Sequence, residues 1–378
     1  MDIIRGLACV LMAIDHVRVY SGIPAGGPTP GVFFTRWVTH FVAPVFALLA
    51  GTGAFFLGRK LGDPGPLARF LVSRGLMLVL LEVTLIRFFW TFGVDYSTFV
   101  LAGVIWMLGW CMVLLAAFVL MQAKTVGWIG VAIVLLQQVL RLVPQAVPES
   151  ARTTFGWFWE FIYSAGLDQL PHVSVLYVIV PWIGVMMAGY GFGLILLRDE
   201  AERRKTLLRM GLGFTALFLV IATTLAFVKG GGTGEAGGEG GGPPLFVRIL
   251  NQQKYPASQL FLLMTLGPMI ALLPWAERAK GFVADALNLF GRVPMFYYLL
   301  HIPAIHLAAV ITMRIRGATG FAEWYATAPY TSVPPEQRWT LGLLYLVYVI
   351  VLVGVLYPAC RWYAAVKARR RYGWLRYV

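Results

Sequence analysis

The chain has few charged residues for its length. Only 13% of its 378 residues are Asp, Glu, Lys or Arg, whereas soluble domains carry about a quarter. The mean hydropathy is +0.75. So few charges could not cover the surface of a soluble enzyme, and the composition therefore indicates a polytopic membrane protein.

Cysteine and histidine are scarce as well. Cys9, Cys111 and Cys360 all lie within hydrophobic runs. Their odd number and apolar surroundings argue against a disulfide framework or a metal cluster. Two of the 5 histidines, His301 and His306, are separated by a spacing that places them about 140° apart on a helix. A zinc site would favour the i,i+4 spacing, so we expect no metal.

The apolar residues form continuous runs that do not alternate with polar residues, which disfavours a membrane β-barrel. Runs of this length predict an all-α transmembrane bundle of about ten spans. The predicted spans lie near residues 3–20, 36–57, 70–91, 99–121, 125–144, 174–196, 207–228, 257–275, 288–313 and 339–364.

The positive charge is concentrated in short loops between these runs and in the C-terminal tail. The net charge is +14, and all of these basic loops fall on one side if the number of spans is even. Because basic loops face the cytoplasm, both termini are predicted to be cytoplasmic. The same distribution accounts for the basic charge without a nucleic-acid partner.

We expect one integral membrane domain over residues 1–378. Residues 229–244 are rich in glycine and are predicted to form a flexible extracytoplasmic loop. Residues 365–378 are predicted to form a basic cytoplasmic tail. An aromatic helix near residues 155–161 fits the membrane interface, and a platform for stacking sugars is the alternative.

The first predicted helix contains an unusual set of ionisable residues: Asp2, Arg5, Asp15 and His16. Each ionisable group at membrane depth costs about 2.5–3.5 kcal/mol, so such groups are functional candidates. Arg5 and His16 share one helix face, and imidazole suits proton transfer near neutral pH. A structural interpretation is also open, in which Asp2 caps the helix, Arg5 reaches the interface and His16 bonds to a neighbouring helix.

The motif Asp2-x-x-Arg5-Gly6-x-Ala8 followed by His16 resembles the first helix of the transmembrane acyltransferase superfamily. The spacing from Arg5 to His16 matches its acyltransferase-3 members. Across most of its length the chain is similar to the DUF1624 branch, which is related to heparan-alpha-glucosaminide N-acetyltransferase. The stretches that carry this similarity are residues 11–18, 33–46, 254–258, 291–301 and 357–362.

The resemblance implies transfer of an acyl group, usually acetyl from acetyl-CoA, to a hydroxyl or amine, often of a sugar. We expect His16, beside Asp15, to be the general base or the acyl carrier, with His40 as the second candidate base. The predicted residues for binding the acceptor are Arg5, Arg36, Glu82, Arg87, Tyr297 and His301. The predicted residues for binding the CoA phosphates are Arg59, Lys60, Arg69, Arg74 and Arg292; these cations also serve to set the topology.

Two other functions are open. A proton-coupled transporter or flippase would use Arg5, Glu82 and His16 as a proton relay. Whatever the function, Glu82 is expected to face the bundle interior and to meet Arg5, Arg87 or Arg292, either in a structural ion pair or as part of the site. A non-catalytic scaffold leaves the ionisable residues at depth unexplained. The expected location is the bacterial inner membrane. The expected partners are membrane lipids, acyl-CoA and a sugar or other small acceptor, with homo-oligomerisation open.

Overall fold

The computed structural model describes residues 1–25, 29–97, 99–163, 170, 172–230, 244–327 and 333–369. It is 82% helical, which confirms the predicted all-α class. Residues 231–243 of the predicted glycine-rich loop and residues 370–378 of the predicted basic tail lie outside the described residues.

The α-helices are α1 (Asp2–Ser21), α2 (Pro30–Trp37), α3 (Val42–Leu61), α4 (Pro64–Leu81), α5 (Arg87–Thr91), α6 (Val104–Phe118), α7 (Ala123–Leu136), α8 (Val143–Ala146), α9 (Glu149–Ile162), α10 (Ile179–Leu196), α11 (Glu200–Gly230), α12 (Leu245–Leu250), α13 (Gln259–Ala276), α14 (Phe282–Arg292), α15 (Pro294–Ile315), α16 (Phe321–Thr327), α17 (Leu341–Val349) and α18 (Tyr357–Arg369). Short 3-10 turns cover Val38–Phe41, Gln137–Leu142 and Pro335–Gln337, and π-helical turns cover Glu82–Ile86 and Ile350–Leu356.

Seven helical segments within the described residues are long and apolar enough to cross a membrane. They are Pro30–Leu61, Ala123–Ala146, Ile179–Leu196, Glu200–Val228, Gln259–Ala276, Pro294–Ile315 and Leu341–Arg369. The first helix, α1, is also 20 residues long but includes the four charged residues Asp2, Arg5, Asp15 and Arg18. The count of ten spans and the cytoplasmic termini stay predictions.

Two predicted spans begin as strands and not as helices. Strand β1 (Val100–Ala102) pairs in parallel with β2 (Val173–Val175), with Val100 opposite Val173. Valines favour extended backbone at both places. The predicted spans 99–121 and 174–196 therefore shorten to α6 and α10.

The predicted span 288–313 is broken at Val293. That residue has φ −128° and ψ 48°, and it precedes Pro294, whose ring disfavours helical backbone in the preceding residue. The chain therefore forms two helices here, an amphipathic α14 and a buried α15. The predicted aromatic helix exists as α9, and Phe155 on it is 63% exposed.

Several helix pairs pack closely at glycines. A Cβ on Gly75 of α4 would lie 2.5 Å from the Gly109 oxygen of α6, and a Cβ on Gly130 of α7 would lie 2.5 Å from the Gly184 oxygen of α10. Small residues allow membrane helices to approach at backbone distance. The same close packing joins α1 to α14, where a Cβ on Gly6 would lie 1.8 Å from the Leu287 oxygen.

Helix α1 is packed on several sides, against α14, α15, α3 and α17. It ends at Ser21 and is capped by Gly22, which adopts a left-handed conformation with φ 73° that glycine tolerates. This packing brings the ionisable residues of α1 into contact with side chains from distant parts of the chain.

Candidate active site

The His16 imidazole of α1 contacts the His301 imidazole of α15. Nδ1 of His16 lies 2.7 Å from Nε2 of His301. The rings are stacked, with centroids 4.8 Å apart and planes at 21°. The edge of Trp90 closes another side of the His16 ring at 4.8 Å. The two predicted site residues are therefore neighbours, although 285 positions separate them.

The backbone of α15 determines which nitrogen of each ring is protonated. Nδ1 of His301 lies 2.6 Å from the Tyr298 oxygen and 3.1 Å from the Tyr297 oxygen. Because carbonyls only accept hydrogen bonds, Nδ1 of His301 carries the proton and Nε2 is the acceptor. His16 must then donate from Nδ1, which leaves a lone pair on Nε2 of His16. No described residue hydrogen-bonds to that nitrogen.

The two rings differ in exposure. His301 is fully buried, whereas His16 is half-buried. The buried His301 ring connects the backbone carbonyls to the half-buried His16 ring. This arrangement orients one imidazole through a fixed partner, which is how a general base is commonly held.

Asp15, predicted to lie in the site, pairs with Arg18 and not with His16. Nε of Arg18 donates to the Asp15 carboxylate at 2.9 Å, and Nη1 donates to the Ile23 oxygen at 3.0 Å. The consecutive positions 15 and 16 point in different directions on a helix. Asp15 therefore neutralises Arg18 at the end of α1.

His40, the second predicted base, lies in the 3-10 turn before α3. Its side chain is 3% exposed, its ring packs on Phe261 at 5.5 Å, and its Nδ1 has no hydrogen-bond partner among the described residues. It therefore occupies a different position from the paired imidazoles.

A cavity of about 820 Å³ opens beside α1, α3, α4, α6 and α15. It extends from Leu61 and Pro66, at the end of the bundle where Arg59 and Lys60 lie, to Val104 and Ile105. We call the end with Arg59 and Lys60 the basic end. The volume is in the usual range for small-molecule sites.

Polar residues line this mostly apolar cavity at a few points. Arg69, Ser73 and Arg74 lie on α4, and Arg5 lies on α1. Tyr298 also lines the cavity, and its carbonyl is the nearer of the two that accept from His301. The cavity wall is thus one hydrogen bond from the imidazole pair.

The predicted phosphate-binding residues divide into two groups. Arg69 and Arg74 line the cavity. Arg59, Lys60 and Arg292 are not among the described residues that line it. Arg5, predicted for the acceptor, lies on the cavity wall and donates to the Asp2 carboxylate at 3.0 Å and to the Gly291 oxygen at 2.9 Å.

Glu82 does not form the expected ion pair with any described residue. Its Oε2 accepts hydrogen bonds from the backbone nitrogens of Ile105 at 3.0 Å and Trp106 at 3.2 Å. These nitrogens belong to the first turn of α6, whose free N–H groups attract a carboxylate. Glu82 is 1% exposed, so it acts in the structure as a buried helix cap.

Arg87 is also fully buried and holds the loop that follows α5. Its guanidinium donates to the carbonyl oxygens of Phe99, Gly93 and Asp95, and to the Thr91 hydroxyl. The Asp95 carboxylate accepts instead from the Ser97 backbone nitrogen and hydroxyl. Both hydrogen bonds lower the pKa of the Asp95 carboxyl, and the one from the Ser97 hydroxyl has the larger effect.

Of the other predicted site residues, Tyr297 contacts the imidazole pair and Arg36 bonds elsewhere. The Tyr297 ring is stacked with His301 at 5.6 Å, and its hydroxyl has no partner among the described residues. Arg36 donates to the Ala25 oxygen. His306 contacts the Phe89 oxygen at 3.0 Å, away from His301. No group of three or more metal-ligating residues occurs in the described ranges.

Sequence reasoning missed Tyr298, Ser73 and Trp90 as parts of this region. Tyr298 precedes His301 by one helical turn, a spacing that places its carbonyl near the imidazole. Ser73 and Trp90 have no comparable signal, because their positions depend on how α4 and α5 pack.

The family model for the catalytic part of heparan-alpha-glucosaminide N-acetyltransferase matches residues 1–227 of the chain. His16, His40 and most of the cavity lie within this match, whereas His301 lies beyond it. A search of the curated proteins finds no match to the chain.

Proposed function

Since the chain belongs to the heparan-alpha-glucosaminide N-acetyltransferase family, we propose that it transfers an acetyl group from acetyl-CoA to a hydroxyl or amine, with a sugar as the preferred acceptor class. The chain is an integral membrane protein of an acetyltransferase family. The observation that carries the proposal is the free Nε2 lone pair of His16, which is joined through His301 by two hydrogen bonds to Tyr298 on the cavity wall.

The donor binds in the 820 Å³ cavity. Arg69, Arg74 and Arg5 supply guanidinium groups, which suit phosphate, and the apolar walls suit the rest of an elongated donor. Acetyl-CoA contributes the activated thioester. We place the basic end in the cytoplasm of a bacterial inner membrane, because basic loops favour that side, and the acceptor approaches from the other end.

His16 takes the proton from the acceptor through Nε2. His301 holds the His16 ring in the reactive tautomer and accepts from Nδ1 throughout, so the positive charge that develops on His16 has a fixed acceptor beside it. The deprotonated hydroxyl or amine attacks the carbonyl carbon of the thioester, and the C–S bond breaks as the new acetyl bond forms. The proton then passes from His16 to the departing thiolate, which leaves as free CoA.

The first experiment tests His16. Purified protein in lipid nanodiscs is assayed for acetyl-CoA-dependent thiol release with a panel of amino sugars and sugars. We expect His16→Ala to lose about 100-fold or more of the wild-type rate, the usual contribution of a general base. The control is His172→Asn, which changes an exposed histidine. Wild-type activity in His16→Ala, or no thioester consumption by the wild type, would refute the proposal.

The second experiment separates positioning from packing. His301→Ala removes the acceptor for Nδ1 of His16, so we expect kcat to fall about tenfold to 100-fold. The amide oxygen of His301→Gln can still accept that hydrogen bond, and this variant should recover part of the rate. Equal rates for the two variants at equal stability would contradict the tautomer argument.

The third experiment tests the donor cavity. We expect Arg69→Met and Arg74→Met each to raise the KM for acetyl-CoA about tenfold, since each loses a charge-assisted contact. Lys60→Met changes an exposed cation outside the cavity and should leave the KM unchanged. An unaltered KM in both arginine variants would exclude this cavity as the donor site.

A further inference from the structure

The cavity lies in a fork between α3 and α4. The two helices touch near the turn that joins them, where a Cβ on Gly58 would lie 2.8 Å from the Leu67 side chain. Farther from the turn, each helix packs on a different neighbour. A Cβ on Gly51 of α3 would lie 1.9 Å from the Met186 oxygen of α10, whereas α4 packs on α6 at Gly75. The space between α3 and α4 is therefore a fixed feature of the fold.

This fork is open on the flank of the bundle. Ser73 lies in the middle of α4, lines the cavity and is exposed. Gly53 of α3 also lines the cavity, and no described helix other than α3 itself lies within 4 Å of the position that its Cβ would take. Because the flank of a transmembrane bundle faces the hydrocarbon of the bilayer, a lipid chain can enter the cavity from the membrane.

The depth of the cavity suits one lipid chain. Arg69 lines the cavity and is exposed in the second turn of α4, near the basic end. From Arg69 to Leu78, which lines the far part of the cavity, α4 advances about 14 Å at 1.5 Å per residue. One leaflet of a bilayer contributes about 15 Å of hydrocarbon, half of the core. The lining residues over this distance are mainly apolar and include Phe46, Leu49, Phe70, Leu71 and Leu108.

The charge at the basic end favours an anionic headgroup. Arg69 offers a guanidinium group, which binds phosphate through paired hydrogen bonds, and Arg59 and Lys60 are exposed nearby. Basic residues near the cytoplasmic surface attract anionic lipids. A zwitterionic lipid carries the same phosphate, but its own ammonium group cancels that charge. The fork therefore combines a cationic rim with an apolar channel as long as one leaflet.

We propose that an anionic phospholipid of the inner leaflet binds in the fork between α3 and α4, with its phosphate at Arg69 and one acyl chain in the cavity beside Gly53. The lipid and the CoA donor then compete for the same space, so the donor must displace the lipid before it binds. The lipid site stands independently of the reaction, whereas the competition rests on the proposed function.

The test measures lipid retention by native mass spectrometry. The protein is purified in detergent micelles that contain equal amounts of phosphatidylglycerol and phosphatidylcholine with the same acyl chains. We expect the wild type to retain one phosphatidylglycerol about tenfold more often than phosphatidylcholine. Arg69→Met should abolish this preference. Gly53→Phe, whose ring would project into the cavity, should lower the retention of both lipids about tenfold.

Two matched controls keep the same chemistry outside the fork. Lys60→Met removes an exposed cation that does not line the cavity, and Gly213→Phe adds the same ring on α11, where Gly213 is exposed and has open space around its Cβ. Both should retain phosphatidylglycerol like the wild type. Gly53→Leu, with a smaller side chain, should act in the same direction as Gly53→Phe and replaces it if the melting temperature of Gly53→Phe falls below that of Gly213→Phe.

Three results would overturn the lipid site. They are equal retention of the two lipids by the wild type, unchanged retention in a stable Gly53 variant, and a loss in Lys60→Met as large as that in Arg69→Met. The last result would show that the whole basic end attracts the lipid without a specific site.

Added CoA separates this proposal from the transferase proposal. CoA should displace the retained phosphatidylglycerol from the wild type. If retention depends on Arg69 and Gly53 but CoA does not displace the lipid, the lipid site stands, and both the competition and the assignment of this cavity to the donor are refuted. If the wild type consumes acetyl-CoA with a KM that depends on Arg69 but retains no phosphatidylglycerol, the transferase proposal stands and the lipid site is refuted.

Discussion

Removal of the Glu82 carboxylate should destabilise the protein through α6. The carboxylate accepts from two backbone N–H groups, those of Ile105 and Trp106. In Glu82→Ala both would be left buried without a partner, and an unsatisfied buried group costs about 1–3 kcal/mol. We therefore expect the free energy of unfolding to fall by about 3 kcal/mol. The amide oxygen of Glu82→Gln can still accept, so this variant should lose about 1 kcal/mol.

The unfolding free energy is measured by titration from mixed micelles into denaturing detergent, followed by circular dichroism. Glu149→Ala, which removes an exposed carboxylate at the start of α9, is the matched control and should unfold like the wild type. Thioester consumption by Glu82→Gln should stay near the wild-type rate. Unaltered stability of Glu82→Ala would refute the capping role. Loss of turnover in a stable Glu82→Gln would instead indicate that the carboxylate takes part in the reaction.

Three further predictions use the same preparations. Gly6→Ala should lose about 3 kcal/mol of unfolding free energy, because its Cβ would overlap the Leu287 oxygen. Gly213→Ala, which has open space around its Cβ, should gain about 1 kcal/mol from helix propensity. Equal stabilities of the two variants would contradict the close packing of α1 and α14. Tyr297→Phe should be about 1 kcal/mol more stable with unchanged kcat, because it removes a buried hydroxyl without a described partner, and a loss of activity would support substrate binding by this hydroxyl. Arg204→Cys should react with an impermeant maleimide from the cytoplasmic side alone, since the native cysteines are buried and give little background; reaction from the outside would reverse the predicted orientation.

The membrane bundle could be predicted from the sequence because continuous apolar runs of this length have few other uses. The errors in its boundaries have local causes. The segment 99–121 contains a short strand before Gly103, and its pairing with β2 depends on a partner more than 70 residues away. Pro294 predicts a break at Val293, but the apolar residues on both sides have the pattern of one continuous span.

The sequence names candidate site residues but does not show which of them are paired. His16 stands out because it is an ionisable residue within a membrane helix. Its hydrogen bond to His301 could not be derived, because no periodicity connects α1 with α15. The capping of α6 by Glu82 was missed for the same reason. A carboxylate within a membrane helix suggests an ion pair with a cation, whereas in the structure it accepts hydrogen bonds from backbone N–H groups.

The way Arg87 holds the loop after α5 has a consequence for the residues of that loop. Its guanidinium binds mainly main-chain oxygens, those of Gly93, Asp95 and Phe99, and every amino acid supplies such an oxygen. Val94, which is 80% exposed, can therefore be exchanged while the path of the chain is preserved. Substitutions at such exposed positions can therefore change the chemistry of this surface without disturbing the arginine that holds the loop.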